Sequence, residues 1–303
     1  MSTTSRANPI SMDGHDGNLP VAEAQRGLNA DDLQTRPTVI VNADDWGREV
    51  FTTDRILECL LHGSISSASA MVFMEDSERA ADLARQYGVD TGLHLNFTLP
   101  FTSRPRLRRL MEYQEQIGRF LQSHRYAPVI YHRRLVALFD YVVKAQIEEY
   151  ERLYGTPVNR IDGHHHMHLS RNVLVQELLP EGIIVRRNLT FRKGEKGYFN
   201  RFFRHRQDVT LARRHRMTDF FFDLHPVEPL ERLKEICSLG ERFNIEIETH
   251  PIRDAEYKFL MNGGLAHCGE KIAIARNYIL RDRLPKSEAS TLTAQQQQGR
   301  PPR

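Results

Sequence analysis

The chain has 303 residues, 40% of them apolar and 27% charged, with a formal charge of +3. That is an ordinary globular composition, and a balance so near neutral argues against a whole-molecule nucleic-acid binder. No stretch reaches the run of about eighteen apolar residues that a membrane span needs. The opening MSTTSRANPISMDGHDGNLP is polar and lacks the apolar core of a signal peptide. The three cysteines, Cys59, Cys237 and Cys268, form no CxxC pair and read as reduced thiols. A cytoplasmic protein is expected.

Residues 1–36 carry no periodic apolar pattern and read as a disordered leader. The far end, 286–303, is low in complexity and reads as a flexible tail. Between them, 37–285 alternates short β-rich runs with helical patterns. TVIVNA is a strand, and TTDRILECLLHG follows with Ile56, Leu57, Leu60 and Leu61 at helical spacing. SSASAMVFM is a second strand, SERAADLARQYG a second helix and DTGLHLNFT a third strand. A long helix, RRLVALFDYVVKAQIEEYERLYG, leads to the strand NRIDGHHHMHL. SRNVLVQELLP is helical and GIIVRR a strand; then come MTDFFFD, the helix EPLERLKEICSLG and the strand NIEIETHP. Repeated βα units predict an α/β fold, a distorted TIM-like (β/α) barrel with mainly parallel strands. No glycine-rich loop follows the first strand, which counts against a nucleotide-binding Rossmann domain.

In such barrels, reactive residues gather where strands end. Here the first strand ends at Asp44-Asp45, the third carries His94, the fourth runs into DGHHHMH and a late one ends at His250-Pro251. Strand alternation would send Asp162, His164, His166 and His168 to one face and His165 to the other. Imidazole and carboxylate together suit a divalent metal. A second carboxylate beside a ligand is placed to take a proton from water. Neighbouring residues differ in direction, so Asp45 can face a metal while Asp44 faces the water.

These motifs resemble the YdjC-like (ChbG/HpnK) family of carbohydrate deacetylases. The matching elements are Asn42-Ala43-Asp44-Asp45-Trp46-Gly47, Gly92-Leu93-His94-Leu95, Asp162 through His168, and His250-Pro251. The resemblance runs from about Thr38 to about Leu280 and implies a distorted barrel that removes acetyl groups from N-acetylated sugars with one divalent metal. It implies Asp45, His94 and His164 as ligands, Asp44 as base and His250 as general acid. Asp162, His166 and His168 would orient ligands or touch substrate. Zinc or magnesium is the expected ion, with nickel, cobalt and manganese also compatible, and the resemblance allows a homodimer.

Trp46, the single tryptophan, stands where a sugar could stack on it, or where it simply packs beneath the first loop. The GIIVRR strand end resembles the family's arginine-bearing segment. Arg186 is taken as the residue facing the site, although the sequence does not separate it from Arg187. A basic, aromatic-rich insertion follows near 186–216; nucleic acid, an anionic sugar and a charged lipid surface are its candidate partners, beside plain packing on the barrel, and substrate selection is the preferred functional reading. A metal-dependent phosphoesterase and a non-catalytic sugar- or metal-binding relative are the competing functions.

Overall fold

The computed structural model describes residues 38–103, 108–191, 197–268 and 273–281. The expected leader and tail lie outside the described residues. In chain order the elements are β1 (Thr38–Trp46), α1 (Val50–Leu61), β2 (Ser67–Ala70), α2 (Ser77–Tyr87), β3 (Thr91–Leu95), α3 (Arg108–Leu121), α4 (Val136–Tyr154), β4 (Arg160–Gly163), α5 (Arg171–Val175), β5 (Ile184–Val185), α6 (Tyr198–Leu211), β6 (Phe220–Asp223), α7 (Leu230–Leu239), β7 (Ile245–Thr249), α8 (Asp254–Met261) and β8 (Ala273–Ile274).

All the strand pairs are parallel, in the order β5-β4-β3-β2-β1-β7-β6, with β8 beside the start of β1. The two ends of this sheet meet. Ile184 bridges Arg216, and the Val185 N–H donates to the Arg216 carbonyl at 2.9 Å. The sheet therefore curls into a distorted barrel, as the βα alternation predicts.

The strands are apolar outside and polar inside. Val39, Val41 and Ala43 on β1, and Ile245 and Ile247 on β7, join the core packed beneath the helices. The alternate positions Asn42, Ser69, His94, Asp162, Glu246 and Glu248 are equally buried but point into a hydrogen-bonded interior. Helices seal the outer face, so period-two alternation here separates two kinds of interior rather than core from water. Asn42 ties the first layer together: it accepts from Ser67 Oγ at 2.7 Å and donates to Ser69 Oγ at 2.7 Å.

The long helix α4 buries Phe139, Val142, Val143, Tyr150 and Leu153 along one stripe and stops at Gly155, whose φ of 69° is readily adopted only without a side chain. Its buried Gln146 accepts from the Asn96 N–H at 2.8 Å and donates to the Asn96 carbonyl at 3.1 Å, satisfying backbone just past β3. Helix α3 is additional to the helices that the sequence predicts. Its buried stripe runs Leu110, Gln114, Ile117, Gly118 and Leu121, and the glutamine and glycine mask the apolar period.

Several expected strands are shorter than their β-rich runs. SSASAMVFM contributes only Ser67–Ala70 and GIIVRR only Ile184–Val185. The larger correction concerns NRIDGHHHMHL. The strand ends at Gly163, and His164–Leu169 form a 3-10 turn in which His165 (φ 54°) and His166 (φ 59°) are left-handed. The expected alternation of the histidines therefore stops at His164. Among the described residues, no helix is long and apolar enough to cross a membrane.

Candidate active site

The site begins at an irregularity in β1. Its register with β2 slips between Ala43 and Trp46, and Asp45 takes φ 72°. Such a bulge re-aims the side chains that follow it. Asp44 keeps to the barrel interior and Asp45 turns to its mouth, while Trp46 is carried into the core. The turn closes with the Arg48 N–H donating to the Asp45 carbonyl at 3.1 Å. Gly47 (φ 83°) sits where an added Cβ would lie 3.2 Å from the Met71 carbonyl oxygen, so both conformation and space call for glycine.

The parallel register of β3 and β4 sets His94 beside Asp162. His94 Nδ1 lies 2.8 Å from Asp162 Oδ1, which orients the ring and leaves Nε2 facing Asp45 Oδ1 at 3.4 Å. His164 enters from the next turn, with Nδ1 2.9 Å from the same Asp45 oxygen. Asp45, His94 and His164 are all buried and bring three donor atoms to one point.

This arrangement fits a divalent cation. His94 Nε2 is buried and has no hydrogen-bond partner among the described residues. Ligands held at roughly 2.0–2.2 Å around one ion stand about 3.0–3.5 Å apart, and Asp45 Oδ1 lies 2.9 and 3.4 Å from the two imidazole nitrogens, close to that spacing. A second grouping, Asp44, His94 and Asp162, is also close. It fits less well, because His94 Nδ1 is engaged by Asp162 and both Asp44 oxygens are engaged by arginine.

That arginine is Arg186. Its Nη1 and Nη2 donate to the two Asp44 oxygens at 2.6 and 2.7 Å, and its Nε donates to Glu246 Oε1 at 2.7 Å. Nη1 also reaches Glu248 at 3.2 Å, and Nη2 lies 3.1 Å from Asp162. Arg187 turns outward to Asp208. Asp44, Asp45, Asp162, Glu246 and Glu248 are thus five buried carboxyl groups gathered near one buried guanidinium.

The electrostatics follow from this crowding. Burial opposes charge on His94, but the Asp44 carboxylate, the hydrogen bond to Asp162 and the nearby Asp45 oxygen outweigh it and push the imidazole up to about 10. Burial would raise Asp45, yet the hydrogen bond with His164 and the adjacent His94 ring hold it well below the usual carboxylate range. Glu248 goes the other way: burial and the neighbouring Asp44 charge push it well up. Burial disfavours the Arg186 cation, but Asp162, Asp44 and Glu246 hold it firmly protonated.

Residues 38–294 match the model of a family described as YdjC-like protein. The chain belongs to the YdjC-like family. Among its relatives, the carbohydrate deacetylase of Vibrio cholerae serotype O1 is 29% identical over 221 residues, which cover 70% of this chain and 77% of that protein. A chitooligosaccharide deacetylase of Proteus mirabilis is 31% identical over 140 residues, covering 45% of this chain and 51% of that enzyme. A crystal structure of an Enterococcus faecalis protein named for cellobiose-phosphate cleavage superposes with a TM-score of 0.59 at 20% identity, covering 80% of this chain and 97% of that one. That likeness is one of fold.

The remaining expected residues of this YdjC-like chain lie at varying distance from the triad. His168 is buried with Nε2 2.9 Å from the Arg186 carbonyl, bracing the arginine's backbone. His166 is half-buried, its Nε2 3.6 Å from Glu248 and its ring edge-on to Phe221. Burial, with Arg186 nearby, holds His166 neutral. His250 stands just past β7, its N–H donating to Glu256 Oε2 at 2.7 Å; its buried Nδ1 has no partner among the described residues, and none of its described hydrogen bonds is to Asp45, His94 or His164.

Trp46 requires correction. It is 0% exposed, packed in the core outside β1, and offers no face to a sugar. Other residues escaped the sequence reading altogether. Glu246 and Glu248 lie in an Ile-Glu-Ile-Glu alternation that reads as a half-solvated strand; only the closed barrel makes both faces interior. Tyr278 donates to Glu246 Oε2 at 2.6 Å from near the chain's end, and no local signal announces it. Arg48 Nη1 donates to Asp45 Oδ2 at 3.2 Å, on the side away from the imidazoles.

Proposed function

We propose that this protein is a metal-dependent hydrolase that removes acetyl groups from N-acetylated amino sugars, in oligosaccharides or glycoconjugates. The reading rests on one observation above the rest: Asp44, locked by Arg186, stands beside the buried Asp45–His94–His164 triad. The names of the family's curated relatives, carbohydrate deacetylase and chitooligosaccharide deacetylase, support the same bond class.

Asp45 Oδ1, His94 Nε2 and His164 Nδ1 would hold the ion, and two imidazoles with one carboxylate suit zinc best, with magnesium, nickel, cobalt and manganese as the alternatives to compare. When bound, such an ion supplies Lewis acidity toward a carbonyl oxygen and makes water easier to deprotonate. The protein's own residues do the rest. Asp44 takes the proton of the attacking water through Oδ2: Oδ1 accepts from both Arg186 and Asn42, whereas Oδ2 accepts from Arg186 and keeps a second lone pair. Arg186 fixes the plane of that carboxylate. Asp162 holds the His94 ring through Nδ1, keeping Nε2 turned to the ligand point. His250 gives a proton to the leaving amine nitrogen.

The test is acetate release from di-N-acetylchitobiose by metal-stripped protein, with zinc, magnesium, nickel, cobalt and manganese restored separately. Release that requires metal and is lost in Asp44→Asn, with metal uptake unchanged, supports the reading. Undiminished release by Asp44→Asn overturns the assigned base. Turnover of a phosphate ester instead favours the phosphoesterase, and metal uptake with no turnover of either favours a binding protein.

A further inference from the structure

We propose that the outer face of α6 docks this protein on an anionic lipid surface. The inference rests on side chains the hydrolytic site does not use. Helix α6 lies in the connection from β5 to β6, with one side turned toward the site. Gln207 Nε2 donates to the carbonyl of Leu169, the last residue of the His164–Leu169 turn, at 3.3 Å.

Its inner face is anchored. Asp208 is buried and accepts from Arg187 Nη2 at 2.8 Å and from the Asn188 N–H at 3.0 Å, and Leu211 is buried beside it. Its outer face is unusually apolar for a surface helix. Tyr198 is 79% exposed, Phe202 51%, Phe203 39% and Val209 43%. Tyr198, Phe202, Arg206 and Val209 follow at helical spacing along one stripe, with the Tyr198 and Phe202 rings stacked 6.4 Å apart.

The charge on this segment has one sign. From Gly197 to Arg216 the sequence carries Arg201, Arg204, Arg206, Arg213, Arg214 and Arg216 against a single acid, Asp208. That acid faces inward. Arg206 on the helix and Arg213 and Arg216 just past it are exposed, while Arg214 pairs with Glu177 and Glu181, so exposed guanidinium groups stand beside exposed phenyl rings. Phenylalanine has no polar handle and gains nothing from water. A helix pairing exposed aromatic rings with arginine is built for the headgroup boundary, where rings enter the acyl region and guanidinium groups meet lipid phosphates. Complementarity of charge selects an anionic bilayer over a neutral one.

The experiment is co-sedimentation of the full chain with vesicles of phosphatidylcholine alone or of equimolar phosphatidylcholine and phosphatidylglycerol. The result expected is binding to the anionic vesicles only, weakened by added salt. Arg206→Glu and Arg213→Glu should each weaken it at least about fivefold, and Phe202→Ser with Phe203→Ser should abolish it. These side chains are exposed, and circular dichroism of the variants checks that the fold is kept. Equal binding to both vesicles, no binding to either, or unchanged binding by the variants overturns the proposal. So does a concentration-dependent dimer, or capture of an RNA oligonucleotide, that the phenylalanine variant removes while vesicle binding is absent. Sedimentation reads contact and not turnover, so its outcome is separate from that of the acetate assay.

Discussion

Arg186 and Asp44 form a two-pronged ion pair across the barrel interior, at 2.6 and 2.7 Å, with both groups almost wholly buried. The pair joins the end of β1 to the end of β5, 142 residues further on. The planar fork of guanidinium matches a carboxylate in a way that an ammonium point charge does not. Arg186 also contacts Glu246, Glu248 and Asp162, so one side chain ties four of the buried carboxyl groups together.

Removing it should be costly. Arg186→Ala leaves buried carboxylates without their counter-ion and should destabilise the fold by about 3–5 kcal/mol, measured by denaturant titration. Arg186→Lys should fold better than the alanine variant but misplace Asp44, lowering acetate release by roughly 100-fold. Wild-type activity in the lysine variant would show that the fork geometry is unimportant.

In the proposed function Asp162 acts through His94, whose Nδ1 lies 2.8 Å from its Oδ1. Asp162→Asn should reduce divalent-metal affinity by about 10- to 100-fold, because the ring loses the anionic partner that fixes its orientation and raises its basicity. Titration calorimetry with zinc measures this directly. Unchanged affinity would mean that packing alone holds the ring.

The metal-free protein should be sensitive to alkali. His94 rises from 6.5 to about 10 in the folded state, through the carboxylates around it. A group whose folded pKa is raised stabilises fully below its unfolded value, and that contribution is lost as pH rises through the folded one. Stability of the metal-free form should therefore decline between about pH 6.5 and pH 10. A His94→Gln variant, less stable at pH 6, should show a flatter profile in thermal melts taken across this range. At neutral pH, metal uptake should release a proton, visible as a dependence of binding heat on the buffer's ionisation enthalpy.

Trp46 should matter for stability and not for substrate. Trp46→Ala removes a fully buried ring and should cost about 3–5 kcal/mol. The milder Trp46→Phe should lower the melting temperature while leaving KM for di-N-acetylchitobiose unchanged. A large rise in KM without loss of stability would return the residue to the substrate surface.

The sequence by itself was enough for the βα alternation, because buried strands and amphipathic helices leave different apolar periods. It also placed acids and imidazoles at strand ends, because Asp44, Asp45, His94 and His164 are chemically conspicuous beside β-branched runs. Which way each side chain points was decided only by tertiary structure. The bulge at Asp45 sends one acid to the mouth and Trp46 into the core, and a left-handed pair of histidines ends the alternation that the run DGHHHMH suggests. Arg186 and Arg187 look alike as neighbours; one meets Asp44 and the other Asp208 only once the barrel closes. Glu246 and Glu248 read as solvent-facing for the same reason. A local pattern reports periodicity, whereas the environment on each face of a strand is set by elements distant in the chain.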